Sequence, residues 1–584
     1  MPEETPKTVA EAVLAQRGPV LFEGRRIEPE ELLAAACARA ALLRELLPPG
    51  AEPHVAVLLD NGPEYVHWLQ ACALAGAALI GVNPTRRGPD LVRDLHHTDG
   101  AVLVTERRLL PLLPLPGGAG ADGLGGRFGP RGERVLVTDS PEYERLLSGY
   151  RGADPPPASA LPGPDTRMLL TFTSGSTGAP KAVVCGQGRL VRAGEKLRGD
   201  LRLTAADTGY GCMPFFHGNA LMGLWSPMLL AGGAVVLRRR FSASGFLPDV
   251  RRYGISYFTY VGRTISYLLA VPEAEGERET ALRLGFGTEA GKVDAERFER
   301  RFGCRLIEGY GSSEGGCNLR REPDAPAGAL GRTGSAPGDD LAVVDPETGE
   351  ECPRSRFDEH GRLLNGDEAI GELVNRRART GFEGYWRNAE AERRRVRNGW
   401  YWTGDLFHRD EDGWFRFAGR SADWLRVDSE NLAVADIENI LARWPEARSV
   451  AVYAVPDPVA GDQVMAAVQP AEGAWAEGAW AEGAWGEGAP GEAAVAELGE
   501  RLGRFLAGQP DLGTKMAPRF VRLMVELPVT ATLKVARARL RAEGWDVPER
   551  VLWRPYGDRG DGGYRELTSA DREAVRALFA EHGR

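Results

Sequence analysis

The first half of the chain alternates short apolar runs with longer stretches of helical periodicity. From residue 54 the sequence reads HVAVLLD and then PEYVHWLQACALAGAALI, and further apolar runs start at residues 101 and 134. Strand and helix in turn are typical of βαβ units on a mainly parallel sheet. The stretch 111–166 is rich in Pro and Gly, so we predict surface loop broken by one strand there.

A second series of apolar runs predicts another sheet beyond residue 200. The candidate strands are GYGCMPFF, GAVVLRR, ISYFTYV, LRLGFG and CRLIEGYG. We expect the last four to pair in one sheet. Several candidates end in Gly-rich turns with polar residues, and ligands of open α/β sheets bind at such carboxyl ends.

The pattern changes near residue 400. WYWTGDLFHRDEDGWFRFAGR predicts a β-hairpin of two aromatic-rich strands. Beyond it, VADIENILARW has the spacing of an amphipathic helix, with Trp444 on its apolar face, and VYAVP and VMAAVQP predict a strand pair. The fold class is therefore α/β: a large domain at 1–419 with two α/β sheet subdomains and a β-rich part, and a small α+β domain at 420–584.

An unusual tract interrupts the predicted small domain. Residues 471–492 read AEGAWAEGAWAEGAWGEGAPGE, a near-perfect five-residue repeat with three tryptophans. A sequence-slippage insertion between two elements is the interpretation we favour, and a tryptophan arm that binds a partner is the alternative.

Composition narrows the class of protein. A chain of 584 residues is too long for one core, and 43% hydrophobic with 26% charged residues is typical of a soluble globular protein. A net charge of −10 argues against a general affinity for nucleic acid or anionic membrane. The seven cysteines show no CxxC or Cys/His cluster, which fits neither zinc ligation nor a disulfide framework.

The amino terminus lacks the basic start and apolar core of a signal peptide, and no stretch reaches 18 uninterrupted apolar residues. We therefore predict a cytoplasmic protein without a transmembrane segment.

The most informative stretch is MLLTFTSGSTGAPK, residues 168–181, where an apolar run turns into a loop suited to phosphate. Glycines let backbone amides approach a polyanion, hydroxyl side chains add donors, and a lysine supplies a point charge. These residues are Thr173, Ser174, Gly175, Ser176, Thr177, Gly178 and Lys181. The GK[ST] ending of a Walker loop is missing, and a flexible Ser/Gly linker is the plain alternative.

Three further stretches carry candidate chemistry. EGYGSSEGG at 308–316 is a strand and glycine-rich turn with one carboxylate, Glu314, and one carboxylate is enough for Mg²⁺ when phosphates and water supply the rest. Asp405 and Arg420 lie at the two ends of the hairpin region and suit ribose and phosphate binding or a simple salt bridge. Lys534 stands in an Arg-rich stretch, where a solvated charge is the usual reading.

Taken together, these stretches resemble the acyl-adenylate-forming superfamily. TSGSTGAPK resembles its nucleotide loop, YGSSE its YGxTE element, TGD with a later GR its ribose-binding pair, and TATLK its C-terminal lysine loop. The segments NPTRRGPDL, YFTYVGRTISYLL and YRELTSADREAV look like the fatty-acid-transport-protein or very-long-chain acyl-CoA synthetase branch.

The resemblance implies a role for each matching residue. Thr173 and Lys534 act in catalysis, Glu314 holds Mg²⁺ and takes part in catalysis, and Asp405 and Arg420 bind the ribose or phosphate. The remaining nucleotide-binding residues are the 174–178 loop, Lys181, Gly287, Thr288, Gly309, Tyr310, Gly311, Ser312 and Ser313.

The resemblance also places an acyl pocket at PFFHGNA, 214–220, and TYVG, 259–262. Its lining residues are Phe215, Phe216, His217, Tyr260, Val261 and Gly262. The aromatic wall suits a long chain or a bulky ring system. His217 is either a residue of the pocket mouth or only a packed ring.

The implied enzyme is an acyl-CoA ligase for a hydrophobic carboxylic acid, a long-chain fatty acid or a bulky polycyclic, terpenoid or steroid-type acid. Its co-substrates are ATP and CoA, and its metal is Mg²⁺. The mobile small domain rotates between two half-reactions about a hinge after Arg420. Hinge and CoA-side positions, where the chain departs from the usual pattern, are Ala422, Asp423, Ser429, Glu430 and Asn431.

Two rival functions stay open at this point. One is a relative that performs only one half-reaction or loads a carrier protein, and the other is a non-catalytic, membrane-linked transport or binding protein. The expected partners are small molecules and no nucleic acid, with the choice between monomer and homodimer left open.

Overall fold

The structure is a computed structural model. It describes residues 5–86, 88–113, 128, 133–173, 181–288, 290, 292–320, 322, 324–326, 328–332, 339–359, 363–377, 381–420, 424–427, 430–458, 462–471, 492–513, 515–530, 534–556 and 563–581. The chain forms two compact units. The first comprises Met1–Thr288, Phe298–Asn318 and Ala378–Gly399, and the second comprises Glu289–Arg297, Leu319–Arg377 and Trp400–Arg584.

The described residues form strands, α-helices, two 3₁₀-helices (Arg107–Leu112 and Ala158–Ala160) and one π-helix. The strands are β1 (Val20–Phe22), β2 (Arg25–Ile27), β3 (His54–Leu58), β4 (Ala78–Gly81), β5 (Val102–Thr105), β6 (Val135–Val137), β7 (Arg167–Thr173), β8 (Lys181–Gly186), β9 (Thr208–Gly211), β10 (Ala234–Leu237), β11 (Tyr257–Val261), β12 (Leu284–Thr288), β13 (Arg305–Tyr310), β14 (Leu319–Arg320), β15 (Ala329–Gly331), β16 (Leu341–Val344), β17 (Gly371–Asn375), β18 (Val396–Arg397), β19 (Trp400–Arg409), β20 (Phe415–Arg420), β21 (Trp424–Val427), β22 (Glu430–Ala433), β23 (Ala447–Pro456), β24 (Asp462–Pro470), β25 (Phe520–Leu523), β26 (Val551–Trp553) and β27 (Arg565–Glu566). The α-helices are α1 (Val9–Leu14), α2 (Pro29–Leu46), α3 (Pro63–Ala75), α4 (Gly88–His97), α5 (Pro141–Ser148), α6 (Gln187–Leu201), α7 (Ser226–Ala231), α8 (Ala243–Tyr253), α9 (Gly262–Leu269), α10 (Lys292–Phe302), α11 (Gly366–Ala369), α12 (Ala389–Arg395), α13 (Val434–Leu441), α14 (Glu492–Ala507), α15 (Arg537–Glu543) and α16 (Ser569–Glu581). The π-helix spans Asn219–Trp225.

The first sheet of the first unit has the order β6-β5-β3-β4-β7-β8. All neighbours are parallel except β7 and β8. Strands β3, β4 and β5 are buried along their whole length, as expected for parallel strands covered on both faces. Helix α3 joins β3 to β4, and it begins with Pro63 and ends before Gly76, whose φ of 67° is a left-handed cap. The predicted βαβ alternation is confirmed here.

The second sheet of this unit contains β13-β12-β11-β9-β10-β1-β2. Its neighbours are parallel except β1 and β2. The prediction that the last four candidate strands share one sheet is confirmed, and β9 lies between β11 and β10. Phe246 of α8 and Phe298 of α10 both pack against Phe258, with ring centroids 5.3 and 5.8 Å apart, which seats these helices on one face of the sheet.

The loop predicted over 111–166 is wrong in one respect, because residues 141–148 form α5. Ser140 caps this helix by accepting a hydrogen bond from the Tyr143 amide, and Pro141 occupies its first turn. Tyr143 is buried, and its hydroxyl donates to Glu64 over 3.0 Å and accepts from the Trp68 indole over 3.1 Å. The high Pro and Gly content hid a short helix that tertiary contacts stabilise.

The second unit contains an antiparallel sheet, β15-β20-β19-β17-β16. The predicted hairpin is confirmed as β19 and β20. A further sheet follows with the order β23-β24-β25-β26-β27. Its strands β23 and β24 are the predicted antiparallel pair, and β24 and β25 run parallel.

Two hydrophobic cores cover this last sheet. One includes Ile437 of α13 and Leu502 of α14, and the other includes Leu540 of α15 and Val575 of α16. Helix α13 ends at Leu441, earlier than predicted, yet Trp444 still reaches the first core. Residues 472–491 of the repeat lie outside the described residues.

Candidate active site

The candidate phosphate loop connects β7 to β8. These strands are antiparallel, and Thr173 pairs directly with Lys181 across them. Only the backbone of Thr173 is described, and Ser174, Gly175, Ser176, Thr177 and Gly178 lie outside the described residues. The Lys181 side chain is half-buried. Burial, with the Arg395 guanidinium as the next cause, lowers the pKa of Lys181 below its usual value.

Glu314 lies in the turn after β13, and it is only 4% exposed. One carboxylate oxygen, Oε1, accepts a hydrogen bond from the Tyr385 hydroxyl over 2.9 Å. Arg189 of α6 anchors the same turn, because its guanidinium donates to the Ser313 carbonyl over 2.6 Å and to the Val184 carbonyl over 2.9 Å. These contacts hold a buried carboxyl group and its turn in place at the carboxyl end of the sheet.

Neither Tyr385 nor Arg189 was predicted to belong to the site. Tyr385 comes from a Gly-Tyr-Trp run, and Arg189 is the third residue of α6. In sequence alone, a tyrosine beside glycine and tryptophan is most simply interpreted as a core residue, and an arginine near the start of a helix as a surface residue. Neither pattern therefore indicated a functional site.

The strands β12 and β13 are parallel neighbours and end on the same edge of the sheet. Gly287 and Thr288 close β12, whereas Gly309 and Tyr310 close β13. At Gly287 a Cβ atom would lie 2.2 Å from the Tyr260 carbonyl oxygen, so only glycine fits there. Gly311 and Ser312 follow in the turn toward Glu314, so the structure brings these predicted nucleotide residues to one edge.

The predicted acyl residues divide by burial. Phe215 and Tyr260 are fully buried, the first against Tyr65 with ring centroids 5.7 Å apart and the second with its hydroxyl 3.4 Å from the Ile307 carbonyl oxygen. Phe216 and His217 are half-buried. The His217 Nδ1 accepts a hydrogen bond from the amide of Asn219 over 3.3 Å, which leaves the proton of the neutral ring on Nε2.

A π-helix begins at Asn219, two residues after His217, and packs against β11. Strand β11 ends with Val261, and Gly262 starts α9. The Tyr257 hydroxyl donates to the Gly223 carbonyl. A Cβ at Gly223 would lie 3.3 Å from the Thr259 methyl group. Helices of this kind concentrate at functional sites, and the sequence pattern did not distinguish it from an α-helix.

Asp405 and Arg420 face each other across the second unit's hairpin. Their Cα atoms are register partners on β19 and β20. The Asp405 amide donates to the Thr403 hydroxyl over 3.1 Å, and the preceding Gly404 amide donates to the Glu372 carboxylate over 2.6 Å. The strand pairing therefore makes the two predicted ribose-binding residues direct cross-strand neighbours. Only the backbone of Arg420 is described.

Lys534 of the second unit makes two hydrogen bonds with Thr530. Its amide donates to the Thr530 hydroxyl over 3.2 Å, and its carbonyl accepts from the Thr530 amide over 2.7 Å. The flanking residues Val529 and Val535 form an antiparallel β-bridge. The half-buried lysine therefore has a backbone fixed on both sides.

The structure describes only part of the predicted hinge and CoA-side residues. Ala422, Asp423 and Ser429 lie outside the described residues, and only the backbone of Glu430 and Asn431 is described, on β22.

The described residues show neither a multi-residue metal cluster nor a helix that could span a membrane. No group of three or more His, Cys, Asp or Glu side chains there could hold a metal ion. Within the same part of the chain, none of the helices combines the length and apolar character needed to span a bilayer.

Sequence comparison decides the family. The model described as AMP-binding enzyme matches residues 7–386, and the one described as AMP-binding enzyme C-terminal domain matches residues 436–534. The chain belongs to the AMP-binding enzyme family. The predicted acyl-adenylate-forming superfamily is thereby confirmed.

Relatives that match over most of their length are named as CoA ligases or synthetases. The chain is 45% identical to a protein of Rhodococcus jostii (strain RHA1) named steroid-22-oyl-CoA synthetase, over 95% of this chain and 93% of the relative. It is 40% identical to the medium/long-chain-fatty-acid--CoA ligase FadD17 of Mycobacterium tuberculosis, over 90% and 93%. These relatives confirm the prediction of an acid-thiol ligase that joins hydrophobic acids to CoA.

The fold is that of solved AMP-binding enzymes. The crystal structure of the anthranilate CoA ligase AuaEII in complex with anthranoyl-AMP superposes with a TM-score of 0.75 at 20% identity, over 92% of this chain and 97% of that chain. The predicted α/β class with a large N-terminal part and a smaller C-terminal part is confirmed.

Proposed function

We propose that this ATP-dependent acyl-CoA ligase prefers the side-chain carboxylate of a bulky polycyclic, steroid-type acid, with medium- and long-chain fatty acids as weaker substrates. The observation that carries the proposal is the 45% identity, over 95% of the chain, to the relative named steroid-22-oyl-CoA synthetase. The relative named for fatty acids is 40% identical over 90% of the chain. The half-buried Phe216 and His217 beside a π-helix supply an aromatic and a polar group for such a ring system.

In the first half-reaction a carboxylate oxygen attacks the α-phosphorus of ATP, and the bond to the bridging oxygen breaks to release pyrophosphate. Negative charge develops on phosphate oxygens, so positioned cations and amides stabilise the transition state. Lys181 and the 173–178 loop hold the phosphates, and Lys534 meets the α-phosphate and the carboxylate. Gly287, Thr288 and the 309–313 segment border the adenine. The pairing of Thr173 with Lys181 supports this arrangement, because it brings the two ends of the loop together.

Glu314 is the protein ligand for a divalent cation. It offers a single carboxylate at 4% exposure, and it is not part of a group of three or more His, Cys, Asp or Glu side chains among the described residues. Mg²⁺ takes few protein carboxylates and draws its remaining ligands from phosphate oxygens and water, so this donor set fits it. When bound, the cation neutralises phosphate charge.

The second unit supplies the ribose site and the thiol-transfer step. Asp405 accepts hydrogen bonds from the ribose hydroxyls, and Arg420, opposite it on the hairpin, binds ribose or phosphate. The sulfur of the CoA thiolate then attacks the acyl carbonyl, and AMP leaves. In this proposal residues 1–419 form the nucleotide, metal and acyl domain. Residues 420–584 rotate about a hinge at 422–423, and Ser429, Glu430 and Asn431 border the CoA path.

The partners in this proposal are the acid, ATP and CoA as small molecules in the cytoplasm, with the enzyme a monomer or homodimer. Size-exclusion chromatography with light scattering distinguishes a monomer from a homodimer.

The test is a matched pair of assays on a panel of acids. Pyrophosphate exchange reports adenylate formation, and CoA-dependent AMP release reports the complete reaction. The panel contains steroid acids with a C22 carboxylate and straight-chain acids of medium and long length. We expect the highest kcat/KM for a steroid acid in both assays. A higher kcat/KM for every straight-chain acid would overturn the substrate preference and leave the ligase chemistry intact.

The alternative of a single half-reaction has one specific motivation. Ala422 and Asp423 stand at the expected hinge, where the family resemblance implies two charged residues. Pyrophosphate exchange without CoA-dependent AMP release, for every acid in the panel, would favour that alternative.

A further inference from the structure

Tyr385 belongs to a segment that extends the first sheet of the first unit. The Trp386 amide donates to the Ala182 carbonyl over 2.8 Å, the Val184 amide donates to the Gly384 carbonyl over 3.1 Å, and Val183 forms a bridge with Tyr385. Residues 384–386 therefore lie along the edge of β8, the strand that begins with Lys181. This pairing places Tyr385 next to β8, which starts at the predicted site residue Lys181. The Tyr385 hydroxyl is also within hydrogen-bond distance of Glu314, a second predicted site residue.

The Tyr385 hydroxyl lies between a cation and an anion. It donates to the Glu314 carboxylate oxygen Oε1 over 2.9 Å and accepts from Arg395 Nε over 3.3 Å. Tyr385 is 5% exposed. A phenol that donates to a carboxylate oxygen keeps its own proton, so the Tyr385 hydroxyl is the donor of this pair.

We infer that Tyr385 is a positioning residue for Glu314, which it holds in one orientation for the divalent cation that accompanies ATP. This inference rests on the proposed function of Glu314. A glutamate has three side-chain torsions to order, whereas Mg²⁺ demands near-ideal ligand geometry. A hydrogen bond that fixes one oxygen removes most of that freedom before the nucleotide arrives.

The hydroxyl is not needed to keep its own segment in place. Main-chain hydrogen bonds to β8 fix residues 384–386, and the Tyr385 ring packs edge-on against Phe382 with centroids 5.1 Å apart. Replacing Tyr385 by Phe therefore removes the contact to Glu314 and keeps both the pairing and the ring packing. The change also removes the hydrogen bond that Arg395 donates to the hydroxyl, so its effect reports on the contacts of the hydroxyl and not on the position of the segment.

The chain offers a matched control in the same unit. The Tyr210 hydroxyl donates to the Asp249 carboxylate over 2.8 Å, and Arg238 pairs with the same carboxylate over 2.7 Å. Tyr210 is fully buried. Tyr210→Phe thus removes a similar buried hydrogen bond, between the same chemical groups, at residues that the mechanism does not use.

The experiment measures ATP affinity by calorimetry on the full chain, without acid or CoA, so that no turnover takes place. Each protein is titrated with ATP in excess Mg²⁺ and with ATP in EDTA. The Kd in EDTA divided by the Kd in Mg²⁺ gives the contribution of the metal to ATP affinity. We expect Tyr385→Phe to reduce this ratio about 10-fold, since hydrogen bonds to charged groups are among the stronger ones. Tyr210→Phe should keep the wild-type ratio while losing a comparable amount of thermal stability.

The outcomes separate cleanly. A wild-type ratio in Tyr385→Phe, with a lowered Tm, would make the tyrosine purely structural and overturn the inference. A wild-type protein that binds ATP equally with and without Mg²⁺ would refute the metal role of Glu314 and the inference with it. If Tyr385→Phe does not fold, Arg395→Gln takes its place, because it keeps the hydroxyl and removes its support. An about 3-fold smaller ratio is then expected, and an unchanged ratio overturns the inference.

Discussion

Acidification should destabilise the second unit through His408, a buried residue of β19 three positions after Asp405. Its Nδ1 lies 2.9 Å from the Ser355 hydroxyl. Burial and then the Arg416 charge lower the pKa of His408 from 6.5 to about 4, against the opposing effect of Asp410. The folded chain therefore stays neutral at this position in a pH range where the unfolded chain takes up a proton.

The sign and size follow from proton linkage. Because the folded pKa lies below the unfolded one, the neutral ring supports stability above pH 6.5, and that support is lost as the pH falls through the folded pKa near 4. Between pH 7 and pH 5 the loss amounts to about 2 kcal/mol, and it approaches about 3 kcal/mol below pH 4.

The assay compares wild type with His408→Gln, which keeps a hydrogen-bonding group near Ser355 and cannot titrate. Urea unfolding followed by tryptophan fluorescence at pH 7, 6 and 5 gives the free energy of unfolding of each protein. We expect the wild type to lose about 2 kcal/mol more than the variant over this range. His96→Gln, at an exposed position on α4, is the control and should follow the wild type. Parallel profiles for wild type and His408→Gln would refute the reasoning.

The remaining predictions concern the proposed chemistry and the repeat. Lys534→Ala should slow adenylate formation by about 10²- to 10³-fold and spare thioester formation from a supplied adenylate, because the charge acts only in the first transition state. Equal losses in both assays would make the lysine structural. Glu314→Gln should lower activity and recover part of it at high Mg²⁺, since the amide keeps the shape and loses the charge; an ordinary magnesium dependence would remove Glu314 from the metal site. A variant that joins Pro470 to Glu492 through a short linker should keep its Tm and both half-reactions, because a doubling of loop length costs only about 0.6 kcal/mol. Loss of CoA-dependent turnover alone would instead give the tract a role in thiol transfer.

Local pattern was enough to predict most elements. The buried strands β3, β4 and β5 are short apolar runs, and the hairpin of β19 and β20 is two aromatic-rich runs around a polar turn. Each of these patterns depends only on which side chains alternate or cluster along the chain, so they are readable without a fold. The helix α5 was missed because its stability depends on contacts of Tyr143 with Glu64 and Trp68, which lie in a distant helix.

By itself the sequence determined the family, the candidate loops and the residues suited to phosphate, metal and ribose, because their chemistry is carried by residue type and close spacing. Tertiary structure alone decided what supports them. The Tyr385 hydroxyl reaches Glu314 across 71 residues of chain, and Arg189 reaches the Ser313 carbonyl across 124. Contacts at such separations depend on the order of strands in a sheet and on where helices pack against it. Hydrophobic periodicity does not show that β9 lies between β11 and β10, or that residues 384–386 pair with the edge of β8.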